Sequence, residues 1–300
     1  MLEGFRLAEE ALKAGWPLSY ALVSEDALGN QRLQSVLAAL QQQDTPTYTL
    51  PPGLFAQTAD TEHSQGLLLI AQLPPAWQHQ PLPAQCVPAQ EHVMSWQEQV
   101  MPWQEQGKPW QEQGAPLQEQ SMPWQGQGMP QLKQNMPLQA PVLPPGADFL
   151  LLADRLADPG NLGTIMRTAW AAGADALLLS SGCADPCSPK AARASMGAVL
   201  RLPLLRFDDE AALLALLQER GLALYAAAAG GQSRYDAARL DQPLVWLFGA
   251  EADGLSPFWR QAATHSVYLP MAQGAESLNV AAAAAVLLYA TAASRGFPKA

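Results

Sequence analysis

The chain has 300 residues, a net charge of −10 and an apolar content of 49%. That length accommodates two ordinary domains with well-formed cores, and no uninterrupted apolar stretch in it is long enough to span a bilayer. The first residues carry Glu3, Glu9 and Glu10 rather than a basic-then-apolar leader, so a cytoplasmic protein with no membrane partner is expected.

The three cysteines, Cys86, Cys183 and Cys187, cannot all pair, which fits a reducing compartment. Cys183 and Cys187 lie four apart, but no second pair and no nearby histidine completes a zinc site, so free thiols and no metal are expected. Charge is unevenly spread. Residues 1–145 hold 5 basic and 13 acidic side chains, whereas residues 146–300 hold 12 and 14. Ten of those twelve are arginines, suited to bidentate phosphate contacts. Composition alone does not suggest nucleic acid, and the front of the chain is poorly built for electrostatic RNA capture.

Residues 1–76 read as a small α/β unit. Residues 7–14 and 31–41 have helical apolar spacing, and residues 20–23, 47–50 and 67–73 are short apolar runs consistent with buried strands. Residues 77–145 differ in kind. From Met94 a seven-residue unit recurs, as in Met101-Pro102-Trp103-Gln104-Glu105-Gln106-Gly107, and it decays through Met129-Pro130 and Met136-Pro137. A period of seven invites a coiled coil. Proline in nearly every unit removes a helical hydrogen bond, and one or two apolar side chains per unit cannot form a seam. A disordered, extended linker is expected. Its Trp96, Trp103, Trp110 and Trp124 could stack on bases or dock a partner, or could mark a repeat with no fixed partner.

From residue 146 to 300 strand and helix patterns alternate. Strands are expected at 149–153, 176–179, 222–226, 244–248 and 267–269, and helices at 161–172, 209–220 and 277–294. Such alternation implies a parallel sheet covered on both faces.

Three segments in this half place glycines and polar groups where apolar strands end. They are Asp158-Pro159-Gly160-Asn161-Leu162-Gly163-Thr164-Ile165-Met166-Arg167, then Phe248-Gly249-Ala250-Glu251-Ala252-Asp253-Gly254-Leu255, then Leu269-Pro270-Met271 running on to Ser277-Leu278-Asn279-Val280. Strand ends are where open α/β sheets bind ligands. Each glycine alone is compatible with ordinary turn chemistry. Asn161, after Pro159-Gly160, sits where a helix N-cap belongs. Arg167 lies in an otherwise apolar helix, so it must be paired or line a wet site. Glu251 is expected to pair with Arg167 or a main-chain amide. Ser277 reads as an N-cap with Asn279 in the first turn.

In order and spacing these segments resemble the three motifs of the SpoU/TrmH family of RNA ribose 2′-O-methyltransferases, within the SPOUT superfamily. Leu2-Glu3-Gly4-Phe5-Arg6 and Thr61-Glu62-His63-Ser64-Gln65-Gly66 look like segments of that family's small substrate-binding domain. A basic lead-in common in relatives is missing before Glu3, so either the start is trimmed or the protein lacks it.

The resemblance implies an α/β fold whose C-terminal part is tied in a deep trefoil knot, one of the rare exceptions to unknotted topology. It implies S-adenosylmethionine held chiefly by backbone around Gly249, Leu269 and Leu278, with Phe248, Met271 and Gly274 beside them. It places Asn161, Arg167, Glu251 and Asn279 in the catalytic centre, with Ser277 positioning. Literal base catalysis by arginine is demanding, so Arg167 is expected to stabilise a developing alkoxide instead. Lys190, Arg193 and Ser195, in Ser188-Pro189-Lys190-Ala191-Ala192-Arg193-Ala194-Ser195, are candidate RNA contacts, with a solvated helix face as the alternative.

The resemblance also implies a homodimer acting on ribosomal RNA, with transfer RNA second. A catalytically idle RNA-binding or assembly factor on the same scaffold is the rival. There is no G-x-G-x-x-G at a first strand–helix turn, no P-loop lysine and no G-x-S-x-G elbow. His63, His79, His92 and His265 fall in none of the motifs.

Overall fold

The computed structural model describes residues 1–61, 64–72, 143–228, 230–273 and 277–297. The heptapeptide repeat, and the linker expected there, lie outside the described residues.

The first unit comprises β1 (Leu2–Glu3), α1 (Phe5–Lys13), β2 (Leu18–Ser24), α2 (Gln31–Gln42), β3 (Thr47–Leu50), α3 (Pro52–Thr58) and β4 (Leu67–Ala71). Its sheet has the order β1-β4-β2-β3, with β2 and β3 parallel and the other pairs antiparallel. Ala21 and Val23 of β2 and Leu67 and Leu69 of β4 point into one core with Phe5, Leu7, Ala8 and Ala11 of α1 and Leu33, Val36 and Leu40 of α2. The two-residue spacing on the strands and the three-to-four spacing on the helices are the patterns that made these elements legible. Asn30 caps α2, its side chain accepting from the amides of Arg32 and Leu33. Two elements were not anticipated. β1 is two residues long, below any periodicity, and α3 opens on Pro52, whose fixed φ suits a first helical turn rather than forbidding it.

The second unit is built on seven strands: β5 (Phe149–Asp154), β6 (Ala176–Ser180), β7 (Leu204–Phe207), β8 (Ala223–Ala227), β9 (Ser233–Arg234), β10 (Leu244–Gly249) and β11 (His265–Tyr268). They form one sheet in the order β7-β6-β5-β10-β8-β11-β9, every neighbouring pair parallel. Its helices are α4 (Pro159–Ala171), α5 (Pro189–Ser195), α6 (Glu210–Glu219), α7 (Pro257–Ala262) and α8 (Val280–Ser294).

The expected doubly covered parallel sheet is what the chain forms. Leu151, Ala153, Leu177, Leu179, Trp246 and Phe248 face one core, with Ile165, Met166 and Ala169 of α4 and Ala284, Leu287 and Leu288 of α8. Leu150, Leu152, Leu178, Val245 and Leu247 face the other, with Leu213 and Leu217 of α6 and Trp259 of α7. All six residues of β5 are buried, so it reads as a continuous apolar run rather than an alternation. The apolar run before β7 forms a 3₁₀ turn at Ala198–Leu200, and β7, β9 and α7 are too short to have shown a period.

The two units share a docking surface made by α5 and the turn after it. Glu10 accepts from Arg201 Nε at 3.1 Å and Nη2 at 3.0 Å, and Trp16 Nε1 donates to the Leu200 carbonyl at 2.9 Å. Arg193 lies between the carboxylates of Glu3 and Asp60, at 3.5 and 2.8 Å. Gly197, at φ +96°, meets Glu10 so closely that a Cβ there would lie 2.8 Å from Glu10 Cγ.

Gly163 performs a similar service between α4 and α5. A Cβ at this position would lie 2.5 Å from both the Ala191 carbonyl oxygen and the Ala194 Cβ. Gly163→Ala should therefore lower stability by roughly 1–3 kcal/mol, overpacking outweighing alanine's better helix propensity. A thermal melt unchanged or raised by this substitution would contradict the close packing of the two helices.

Candidate active site

The C-terminal ends of β8, β10 and β11 open onto a cavity of about 810 Å³. Its wall includes Ala226–Ala228 at the end of β8, Phe248 and Gly249 at the end of β10, Leu269 and Met271 after β11, and Ser277–Val280 leading into α8. That size suits a cofactor, and the lining is mostly apolar with a few polar groups, as small-molecule sites usually are. Of the residues expected to hold a cofactor, Phe248, Gly249, Leu269, Met271 and Leu278 all line the cavity. Gly274 lies outside the described residues.

Gly249 is a steric requirement. The chain leaves β10, turns and comes back, so that Ala250 and Gly254 exchange N–H···O bonds at 3.0 and 2.9 Å. A Cβ on Gly249 would lie 2.1 Å from the Gly254 carbonyl carbon and 2.2 Å from the Leu255 nitrogen. Gly254 itself takes φ +66°, a conformation glycine adopts without penalty. The closed loop presents Glu251 at its tip.

One side-chain chain of bonds joins the three motif segments. Asn279 Nδ2 donates to Asn161 Oδ1 at 3.0 Å, and Asn161 Nδ2 donates to Glu251 Oε1 at 2.8 Å. The carboxylate can only accept, so the amide of Asn161 can point only one way. Glu251 and Asn279 also line the cavity, and Ser277 does so without a side-chain bond among those described.

Two expectations about these residues are corrected. Asn161 is not the cap of α4. Asp158 is, accepting the Asn161 main-chain N–H at 2.8 Å with Pro159 in the first turn, which leaves the Asn161 side chain free for Glu251 and Asn279. That main-chain bond, followed by Lys190, holds the Asp158 carboxyl below its ordinary range. Likewise Ser277 does not cap α8. Asn279 does, accepting from Ala281 and Ala282 through Oδ1 while its Nδ2 reaches Asn161.

Glu251 takes a side-chain amide, not the arginine or main-chain amide expected. Arg167 is exposed on α4, and its side chain makes no hydrogen bond or ion pair among the described residues. The structure therefore brings Asn161, Glu251, Ser277 and Asn279 together and leaves Arg167 as a solvent-facing cation on the same helix as Asn161.

The expected RNA contacts fare differently. Lys190 is exposed and pairs with Asp158 at 3.0 Å. Arg193 is committed to Glu3 and Asp60 at the docking surface. Ser195 is fully buried, its hydroxyl donating to the Ala192 carbonyl at 2.7 Å, so its role is internal rather than an RNA contact. Sequence reasoning also missed His265 and Arg260 in the cavity wall. His265 stacks on Tyr225, with centroids 4.5 Å apart, because β11 and β8 pair in that register. No motif spacing announces such a neighbour.

Comparison with known proteins sets this arrangement in a class. Over nearly all of its length the chain has the fold of the SpoU methyltransferase AviRb from Streptomyces viridochromogenes, solved with the cofactor AdoMet. The match has a TM-score of 0.69 and 22% identity, covering 98% of this chain and 89% of that one. A crystal structure described as an RNA 2′-O ribose methyltransferase matches with a TM-score of 0.66 and 28% identity, covering 98% and 88%.

The model of the SpoU rRNA Methylase family matches residues 148–289, and that for RNA 2′-O ribose methyltransferase substrate binding matches residues 1–77. The chain belongs to the SpoU methylase family. An uncharacterized tRNA/rRNA methyltransferase of Synechocystis is 41% identical over 146 residues, 49% of this chain and 53% of that protein. The 23S rRNA (uridine(2479)-2′-O)-methyltransferase of Streptomyces viridochromogenes is 36% identical over 153 residues, 49% and 53% respectively. The chain thus spans about half the length of the curated relatives it matches.

Among the described residues no group of three or more His, Cys, Asp or Glu is placed to hold a metal ion. Cys183 Sγ donates to the Ala153 carbonyl at 3.2 Å, and burial pushes its thiol up. Burial, helped by Asp185, pushes the Cys187 thiol up to about 12. At pH 8 that leaves about one Cys187 in ten thousand as thiolate, the reactive form. Iodoacetamide at pH 8 should spare Cys183 and Cys187 in the native chain and modify both in urea, as located by mass spectrometry. Prompt native labelling at Cys187 would show that its burial is wrong.

Proposed function

We propose that this chain is an S-adenosylmethionine-dependent RNA 2′-O-ribose methyltransferase acting on ribosomal RNA in the cytoplasm. The observation that carries the reading is the bonded set Asn279–Asn161–Glu251 on the rim of a cofactor-sized cavity. Relatives support it through their names, among them the 23S rRNA (guanosine(2553)-2′-O)-methyltransferase RlmP of Bacillus subtilis, 35% identical over 145 residues.

The residues present fit the cofactor. Gly249, where a Cβ would strike backbone, lets the main chain form the cavity wall, and Phe248, Leu269, Met271 and Leu278 supply apolar lining. Main-chain groups at these strand ends and apolar side chains would hold an adenosine. When bound, S-adenosylmethionine supplies an electrophilic methyl group. Glu251 orients Asn161 and, through it, Asn279. The unpaired Arg167 guanidinium is available to a ribose and its phosphate, where it would stabilise the alkoxide as the 2′-hydroxyl loses its proton to phosphate or water. The chain segment after β11, which contributes to the cavity together with the loops after β8 and β10, is proposed to be the threaded part of a trefoil knot.

We further propose a homodimer built on the outer face of α8. Ala282, Val286, Tyr289 and Ala293 are exposed along one stripe of that helix, and Tyr289 packs against the exposed Phe297 at a centroid distance of 6.0 Å. An apolar stripe of this kind is what a self-complementary two-fold contact buries.

Labelled S-adenosylmethionine should transfer its methyl group into a single 2′-O site of ribosomal RNA, mapped by ribose methylation. Arg167→Ala should lower the rate by roughly 100-fold or more, the size expected for losing a donor to a developing oxyanion. Transfer into tRNA alone would replace the substrate class, and cofactor binding without any transfer would favour the idle scaffold. For the dimer, sedimentation velocity should give twice the chain mass for wild type and the chain mass for a Val286→Asp/Tyr289→Arg double variant. A monomeric wild type would remove α8 as an interface.

A further inference from the structure

We infer that Asp154 is a positioning residue that clamps both ends of the loop carrying Glu251, and thereby sets the cofactor-cavity wall; the inference rests on the methyltransferase reading above. Asp154 ends β5 and is 1% exposed. Its main chain pairs in register with Gly249, the residue from which the loop departs. Its side chain holds the other end, Oδ2 accepting the Ser256 main-chain N–H at 2.6 Å. Ser256 follows the Ala250–Gly254 closure and caps α7. One residue therefore grips the loop where it leaves the sheet and where it returns to helix.

The other carboxylate oxygen has a cation and a hydroxyl beside it. Oδ1 lies 3.4 Å from Arg155 Nε and accepts from Ser180 Oγ at 3.5 Å. Arg155 adds a contact of its own, Nη2 reaching the Gly254 carbonyl at 3.5 Å. Arg155 does this from a left-handed backbone, φ +57°, which few non-glycine residues adopt. Its N–H, donated to Ser180 Oγ at 2.9 Å, helps hold it there. Strain kept in this way is common beside functional sites. Between the two gripped ends lie Glu251, bonded to Asn161, and Gly254 and Leu255, which line the cavity. Loosening the return end would let Glu251 move off Asn161 and the cavity wall shift, without disturbing the solvent-facing Arg167.

The test uses the full chain and S-adenosylhomocysteine binding by calorimetry, with methyl transfer measured in parallel. Asp154→Asn cannot accept on both sides and should raise the Kd by ~10-fold, about one charge-assisted hydrogen bond, while the KM for RNA stays unchanged. Ser256→Pro removes the N–H itself. The native φ of −57° and ψ of 156° lie within proline's range before Pro257, and the ring Cδ, taking the place of the amide hydrogen, also pushes Asp154 Oδ2 off this end of the loop. It should match Asp154→Asn. Ser256→Ala loses the helix cap but keeps the N–H, and should bind like wild type.

If Asp154→Asn fails to fold, the Ser256 pair decides the question. A folded Ser256→Pro chain binding within twofold of wild type overturns the inference, as does Ser256→Ala weakening binding as much as Ser256→Pro. A wild type that binds no S-adenosylhomocysteine overturns the cofactor reading itself, and this inference with it.

Discussion

The side-chain amide of Asn161 is the hinge on which the site's geometry depends. Its oxygen and its nitrogen are both engaged, by residues 118 and 90 positions away in sequence. A single planar group thereby fixes the relative placement of a helix start, a closed loop and the approach to the last helix. It is free to do so because Asp158 satisfies the Asn161 main-chain N–H, and Asn279 divides its own amide in the same way, capping α8 with oxygen and reaching Asn161 with nitrogen. Helix ends always leave unpaired N–H groups. Here their satisfaction and the assembly of the site are one arrangement.

The strands that carry the site were legible in the sequence because β5, β8 and β10 are unbroken apolar runs, and the glycine-bearing segments that end them marked where a ligand would sit. What stayed hidden was local competition. Asp158, Asn161, Ser277 and Asn279 are all good capping residues, and only the backbone decides which one caps. Charge gave similar trouble. Arg193 and Lys190 show the same basic character on paper, yet one is enclosed by two carboxylates and the other lies at the surface. Ser195 looked polar and available, but the turn of Pro189–Ser195 points it inward. A one-dimensional reading also had no means of setting His265 opposite Tyr225, since that neighbour comes from strand register.

The arginines of the second half turn out to be largely neutralised by ion pairs. Arg201 pairs with Glu10, Arg206 with Asp185, Arg295 with Asp148 and Arg234 with Asp236. The acidic front of the chain is part of this balance, because Glu3, Glu10 and Asp60 meet arginines across the docking surface. An acidic small unit is therefore no contradiction in a protein of this family. Three of its carboxylates, Glu3, Glu10 and Asp60, are turned to its neighbour, and a fourth, Glu9, is paired with Arg32 of its own unit.

That docking surface has a consequence for how the chain can change over generations. The stretch 73–142 departs from Gln72, whose N–H is fixed to the Pro17 carbonyl at 2.9 Å, and returns at the buried Leu143. Both anchor points belong to units already held together by Glu10–Arg201, Arg193 and Trp16. The distance between the ends is thus set by contacts of the folded residues on either side. Duplicating a heptapeptide there adds only a slowly growing loop-closure cost, about 0.6 kcal/mol for each doubling of length. A change in the number of repeats over generations therefore leaves both anchor points and the docking surface between them in place.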